Sequence, residues 1–260
     1  MTEIAICPVC RQEVTAPAGK MPMACPYCRA NIKRAARFYV NSEGVLVRYD
    51  GHLTEINLPG AVLTVGANVF FCHTELERIS FPSSLRVIEG AAFAKCGLLE
   101  VELPDSLVSL GNSAFAGCSQ LSTLTLPAKL AEIPARAFEG CTALAAIDLS
   151  HIVRIGERAF ENCTMLADVL LGDGLLEVGD YAFAWCRHLE SILIPKSVRK
   201  MGSCIFDFSE SLKAILCEAT KRPEGWCEDF NFRVPTPFGG KGGGEGQAEH
   251  RCPVVWGYRQ

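Results

Sequence analysis

Phenylalanine returns along this chain every 22 or 23 residues, at Phe70, Phe93, Phe115, Phe138, Phe160, Phe183 and Phe206, and one pattern of apolar and polar positions travels with it. Three residues after most of these rings stands a cysteine (Cys96, Cys118, Cys141, Cys163, Cys186), and six after stands a leucine (Leu76, Leu99, Leu121, Leu144, Leu166, Leu189, Leu212). Positions nine and eleven are apolar, as in Ile79/Phe81, Ile147/Leu149 and Ile192/Ile194, which is the alternation of a strand with one buried face. Proline follows at Pro59, Pro82, Pro104, Pro127 and Pro195, and ends the strand by removing a donor and fixing φ. Glycine four before the ring (Gly66, Gly111, Gly156, Gly179, Gly202) reads as a tight corner. Alanine directly before it reads as close packing in a short helical turn.

Each repeat is therefore expected to run strand, turn, short helical segment, turn. The unit from Phe93 is one residue short, which moves its strand residues to Val101 and Leu103, and a half-unit from Leu53 to Val65 fits the template with Val47 in the place of the ring. Eight turns can be counted. A coil this small cannot bury its own apolar face and must lean on its neighbours, so the pattern predicts a solenoid whose parallel sheet is about 40 Å long. Solenoids act mostly as binding surfaces.

The fourteen cysteines change the picture at the N-terminus. Cys7-Pro-Val-Cys10 and Cys25-Pro-Tyr-Cys28 form two CxxC pairs separated by fourteen residues, the spacing of a four-thiolate zinc site. A segment of about forty residues has little core of its own, and structural Zn²⁺ supplies what is missing. The arrangement resembles a zinc ribbon with Cys7, Cys10, Cys25 and Cys28 as ligands. A closed set of four leaves no position for a water, so the site is structural. A redox dithiol would want a βαβ setting that is absent, and iron is the competing metal.

Ala-Phe-x-x-Cys-x-x-Leu followed by Ile-x-Leu-Pro resembles the BspA-type leucine-rich repeat family over about two thirds of the chain. The resemblance implies a leucine-rich repeat solenoid that binds or recognises another molecule, and it carries over no catalytic residue. The stretch Leu216–Thr220, Trp226 and Cys252–Tyr258 resembles the family's closing unit, interrupted here by a glycine-rich run. The expected organisation is a zinc ribbon over 1–38, a solenoid of parallel sheet and short helical turns over 39–232, a flexible glycine-rich insertion over 233–250, and a C-terminal cap strand over 251–260.

Charge divides the same way. The first forty residues carry six cations against Glu3 and Glu13, a net of +4, and the remainder carries −8. Lys33, Arg34 and Arg37 beside Phe38 and Tyr39 invite a nucleic-acid reading of the ribbon. The simpler account is that these cations offset the net charge of four thiolates and one Zn²⁺. The five histidines are scattered, and no HExxH, GxSxG or phosphate-loop pattern occurs. His250 and Cys252 have no third group to orient them, so no catalytic residue is assigned. There is no apolar run of membrane-spanning length and no recognisable export signal at Met1–Cys10, so a protein of the reducing cytosol is expected.

If positions nine and eleven point inward, eight and ten line the solvent face of the sheet. Position ten reads Asn57, Ser80, Glu102, Thr125, Asp148, Leu170, Leu193 and Leu216, polar at first and then apolar for three consecutive turns. The expected function is a non-enzymatic scaffold that binds a protein partner on this face. Leu170, Leu193 and Leu216 supply the apolar part, and Glu77, Arg78, Glu100, Glu102 and Asp148 add polar selectivity. No small-molecule substrate or membrane is implied. A nucleic-acid-associated regulator acting through the ribbon is the second reading.

Overall fold

A computed structural model describes residues 1–33, 35–231 and 251–258. The chain winds into a β-solenoid of about eight turns. The seven repeat phenylalanines stand in single file along its axis, all but fully buried, with successive ring centroids 5.0 to 6.1 Å apart and ring planes within 14° of parallel. Offset stacking of this kind adds to the burial of each ring. Ile or Leu at the inward strand positions closes the core on the opposite side.

Each turn contributes to two ladders of short parallel strands. The first ladder carries the strands expected from the sequence, Glu55–Asn57, Arg78–Ser80, Glu100–Glu102, Thr123–Thr125, Ala146–Leu149, Asp168–Leu171, Ser191–Ile194 and Ala214–Cys217, and Val254–Trp256 is added at its far end. It is divided into groups of four, two and three strands, with breaks after Thr125 and after Leu171. The second ladder is built from two-residue strands such as Val87–Ile88, Arg154–Ile155 and Lys200–Met201, just before each corner. Two residues produce no periodicity, so the sequence pattern did not disclose this ladder.

The expected helical turns are absent: the described residues contain no helix, and so none long or apolar enough to cross a membrane. Around each phenylalanine the residues two before and two after it adopt positive φ, as at Ala91 and Lys95, Arg158 and Asn162, and Tyr181 and Trp185. A left-handed residue on either side breaks the i to i−4 register of a helix. It also turns the backbone N–H groups outward along the axis. Phe93, Phe115, Phe138 and Phe160 each donate to the carbonyl of the alanine before the next phenylalanine at 2.8–2.9 Å, and Ala91 and Lys95 donate to Asn112 and Ala116 of the following turn. Alanine's helix propensity is overridden because the neighbouring turn offers acceptors where a helix would offer its own.

The corner glycines have a different reason from the one inferred above. Gly111, Gly156 and Gly179 have no positive φ, but a Cβ on any of them would come within about 2.6 Å of backbone in the preceding turn. Close approach of two coils, not turn geometry, demands glycine there. Two register details also differ. In the short unit after Phe93 the buried leucine is Leu98 rather than Leu99. Val47 is 40% exposed, and the aromatic file is continued instead by Tyr49, 5.0 Å from Phe70, and then Phe38.

The N-terminal module joins the solenoid through shared backbone. Strands β1 (Thr2–Ile6), β2 (Glu13–Pro17) and β3 (Arg37–Val40) are antiparallel neighbours, β3 pairs antiparallel with β4 (Val45–Asp50), and β4 begins the second ladder by pairing in parallel with Thr64–Val65. A single seven-stranded sheet thus runs from the cysteine module into the repeats. At the other end Trp226, Phe230 and Trp256 pack together and close the core. The glycine-rich insertion expected at 233–250 lies outside the described residues.

The stacked file predicts the effect of emptying one position. Phe138→Ala leaves a ring-sized cavity between Phe115 and Phe160 and lowers unfolding free energy by about 3–5 kcal/mol. A shift of the urea midpoint to lower concentration with the slope unchanged is the expected result.

Candidate functional site

Two places hold the chemistry that the sequence singled out, the four cysteines and the solvent face of the first ladder.

Both CxxC pairs form the same knuckle. Cys7 N–H donates to the Gln12 carbonyl and Arg11 N–H returns to the Cys7 carbonyl, each at 3.0 Å; Cys25 N–H donates to Ala30 and Arg29 N–H to Cys25, each at 2.8 Å. Arg11 and Arg29 take positive φ at equivalent positions. The Cys-Pro-x-Cys-Arg match between the two pairs was the sequence signal for this symmetry. The knuckles bring the Sγ atoms of Cys7, Cys10, Cys25 and Cys28 within 4.8 Å of one another, with Cys7 to Cys28 at 3.5 Å and Cys10 to Cys25 at 3.6 Å.

Four sulfurs this close do not ionise independently. The Cys7 thiol is drawn down to about 6, first by the backbone N–H of Cys10 and then by that of Val9 and by the Cys28 thiol, against the opposing effect of burial. Cys10 has help from the backbone N–H of Gln12, yet burial and the thiols of Cys28, Cys7 and Cys25 push it up to about 12. Cys7 ionises readily while Cys10 resists. A bound cation removes that resistance, so this cluster can hold a metal.

A buried ion pair supports the knuckles and gave no signal in the sequence. Glu3 on β1 is 5% exposed and accepts from Arg37 on β3 at 2.8 Å and from the Gly19 N–H at 2.8 Å. Arg37 also donates to the carbonyls of Ile32, Lys33 and Ala35, which follow the second knuckle. Four hydrogen bonds from its guanidinium tie the segment after the second knuckle to the sheet. Arg37 and the buried Phe38 are therefore engaged inside the module and do not offer the cation and ring that a nucleic-acid surface needs. Tyr39 is covered by Arg48, whose charge is met by Asp50 at 2.6 Å. Lys33 is exposed, and Arg34 lies outside the described residues.

The repeat cysteines are of another kind. Cys96, Cys118, Cys141, Cys163 and Cys186 are buried, and each Sγ donates to the carbonyl of the phenylalanine one turn earlier at 3.0–3.4 Å. Ser209 does the same for Phe183 at 2.9 Å. Burial pushes these thiols up, to about 12 at Cys118 and Cys163. They are protonated donors that satisfy core carbonyls, with no thiolate character. Cys252 is likewise buried, and His250 lies outside the described residues.

On the first ladder, Leu170, Leu193 and Leu216 occupy equivalent rungs, Leu170 being 57% exposed and the other two half-buried. Val255 pairs with Leu216 and is 44% exposed, so the row has a fourth apolar member supplied from across the glycine-rich stretch. Glu100, Glu102 and Asp148 lie exposed on the same face. Ser150, through its hydroxyl and then its backbone N–H, holds the Asp148 carboxyl below its ordinary range. Arg78 leans on Glu55 at 3.6 Å and on the half-buried Glu77 at 3.9 Å, so its charge is already met. Two hollows open along the row. One of about 450 Å³ is lined by Asp148, Asp168 and Leu170; the other, about 670 Å³, lies at the break after Leu171 and is lined by Asp168, Glu190, Leu193, Leu216 and Tyr258.

Comparison with known proteins bears on the solenoid. The model of the BspA type leucine-rich repeat region matches residues 48–151 and 147–222 in six copies, and the cysteine module lies outside that match. Among solved structures, a leucine-rich repeat protein from T. pallidum is 29% identical with a TM-score of 0.60, covering 67% of this chain and 86% of that one. One from Eubacterium ventriosum is 28% identical with a TM-score of 0.59, covering 72% and 50%. One from Bacteroides ovatus, 23% identical with a TM-score of 0.54 and covering 64% and 55%, shares the fold. The chain spans about half the length of these last two. No curated protein sequence matched.

The buried pair supplies a test of the module. Arg37→Ala leaves the Glu3 carboxylate buried without its cation, which costs about 3–5 kcal/mol. Amide exchange in β1 and β3 is expected to accelerate while the repeats beyond Phe93 keep their protection; unchanged exchange in β1 would contradict the role given to Arg37.

Proposed function

The chain belongs to the BspA-type leucine-rich repeat family, and from that premise we propose a non-enzymatic scaffold that binds a protein partner on the solvent face of its first ladder and carries a structural zinc ribbon at its N-terminus. Repeat proteins of this fold serve broadly as interaction modules, and the single observation that carries the reading here is the row Leu170, Leu193, Leu216 and Val255. Leu193, Leu216 and Val255 stand on paired neighbouring rungs, with Leu170 on the equivalent rung across the break, on a sheet face that is otherwise polar, and exposed apolar patches mark interaction sites. The described residues offer no assembled nucleophile, base and orienting group; the buried thiols are protonated and face carbonyls.

Zinc is the metal that best suits the cluster. A tetrahedron of Zn–S bonds near 2.3 Å has edges of about 3.8 Å, and the observed sulfur separations of 3.5 and 3.6 Å, with all pairs inside 4.8 Å, are close to that shell. Cys7, Cys10, Cys25 and Cys28 would hold the ion, which when bound offsets half of the thiolate charge and fixes both knuckles. The side chain of Arg37 and the backbone of β1 and β3 then hold the loops in place. The fourteen cysteines, all unpaired, support a reducing cytoplasmic setting as part of the same reading.

Two measurements test this. Purified protein never exposed to chelator is expected to carry one equivalent of zinc by mass spectrometry, and a strong chelator to melt the signals of residues 1–40 while leaving the repeats folded; iron in place of zinc, or no metal, overturns the assignment. For the face, a photo-crosslinker at position 193 is expected to capture a discrete partner that the same probe at Lys200 on the second ladder does not. Leu193→Asp with circular dichroism unchanged should abolish that capture, and equal capture from both ladders would remove the first ladder as the binding surface.

A further inference from the structure

The partner's chemistry can be read from what stands beside the leucines. Both hollows combine carboxylates with aliphatic side chains: Asp148 and Asp168 with Leu170, and Asp168 and Glu190 with Leu193 and Leu216. The cations on this face are spoken for. Arg78 is engaged by Glu55 and Glu77, and Lys213 by Glu190 at 2.7 Å. Glu100, Glu102 and Asp168 form no ion pair among the described residues, and Asp148 is held by the hydroxyl and backbone N–H of Ser150, with no ion pair. The face is therefore anionic in its middle rungs and apolar in its last four. A low-dielectric wall of leucines beside uncompensated carboxylates strengthens their field toward an arriving cation and repels a phosphate backbone.

Resting on the protein-binding reading above, we propose that the occupant is an extended polypeptide segment in which lysine or arginine side chains adjoin aliphatic ones. The cations would lie against Glu102, Asp148 and Asp168, and the aliphatic side chains on Leu170, Leu193, Leu216 and Val255. The dimensions are consistent with one short stretch. Six rung intervals separate Glu102 from Val255, about 29 Å at the usual strand spacing, which about nine extended residues span with every second side chain facing the ladder. Lysine suits the first hollow in particular, since its methylenes can lie on Leu170 while the ammonium reaches Asp148 or Asp168.

The experiment uses the full chain and fluorescein-labelled peptides of that length in fluorescence anisotropy. One presents lysines and then leucines at the ladder-facing positions, one replaces the lysines with glutamate, and one replaces the leucines with serine. The lysine–leucine peptide is expected to bind, to weaken as salt is raised, and to exceed the other two by roughly tenfold or more. The double variant Glu102→Lys, Asp148→Lys should reverse the preference in favour of the glutamate–leucine peptide, a gain that unfolding cannot mimic. Equal binding of the lysine and glutamate peptides overturns the charge assignment and leaves the face as a protein-binding surface. If no peptide binds while the crosslinker at position 193 still captures a partner, the extended cationic segment is wrong and the scaffold reading stands. Failure of both sinks the two together.

Discussion

No turn of this chain can satisfy its own backbone. In the repeats from Phe70 to Phe183 the amides of the phenylalanine and of the residues two before and two after it point along the solenoid axis to acceptors in the next turn, and the two strand ladders do the same. Because a buried amide without a partner costs as much as a lost hydrogen bond, each coil is stable only when another lies against it. The other regularities of the repeat answer this requirement. Positive φ at paired positions aims the donors, glycine before the turn lets the coils approach, and the cysteine thiol occupies the spare acceptor capacity of the phenylalanine carbonyl. The stacked rings then fill the space that this spacing leaves.

A stack held this way has two open ends, and each is closed by a different means. At the N-terminal end the reversal from parallel to antiparallel pairing at β4 and β3 hands the sheet to the cysteine module, whose own core of Val14 and Ile32 is too small to stand by itself. Arg37 ties the module to the sheet, a metal held by the two knuckles would add a second crosslink against that shortage, and Tyr49 and Phe38 carry the aromatic file across the junction. At the C-terminal end a strand returning from beyond the glycine-rich stretch adds the last rung, and two tryptophans with Phe230 cover the final core layer. Terminal repeats need such covers because an uncapped coil would present an apolar face to water.

Much of this was legible in the sequence, for a physical reason. Inward residues of a solenoid meet the same neighbour in every turn, so phenylalanine, cysteine and leucine recur in register and the first ladder could be placed to the residue. Features governed by the neighbouring turn were not legible. Alanine before phenylalanine reads as helical, yet left-handed residues such as Tyr181 and Trp185 are tolerated because they aim donors at the next coil. Leu98 supplants Leu99 where Gly97 shortens the bend, and Tyr49 rather than Val47 meets Phe70; both depend on how one turn sits on another. The four cysteines were visible because ligand spacing is local. Glu3 and Arg37, 34 residues apart, were not, since a single long-range ion pair leaves no pattern.

The face that carries the proposed function is a place where the repeat is loosened. The first ladder breaks after Leu171, the core behind that strand is less tightly closed, with Val169 and Leu171 only half-buried, and the larger hollow opens there. Inward positions are fixed by the stack and cannot vary without a cavity. Outward positions eight and ten touch no other turn's core, so they are free to carry any side chain at little cost to stability. Polar residues on the early rungs are what solvation alone would select. Four aliphatic residues on consecutive rungs beside uncompensated carboxylates are not, because neither burial in the core nor solubility accounts for them. On the proposed reading, these outward residues answer to a partner and not to the stack.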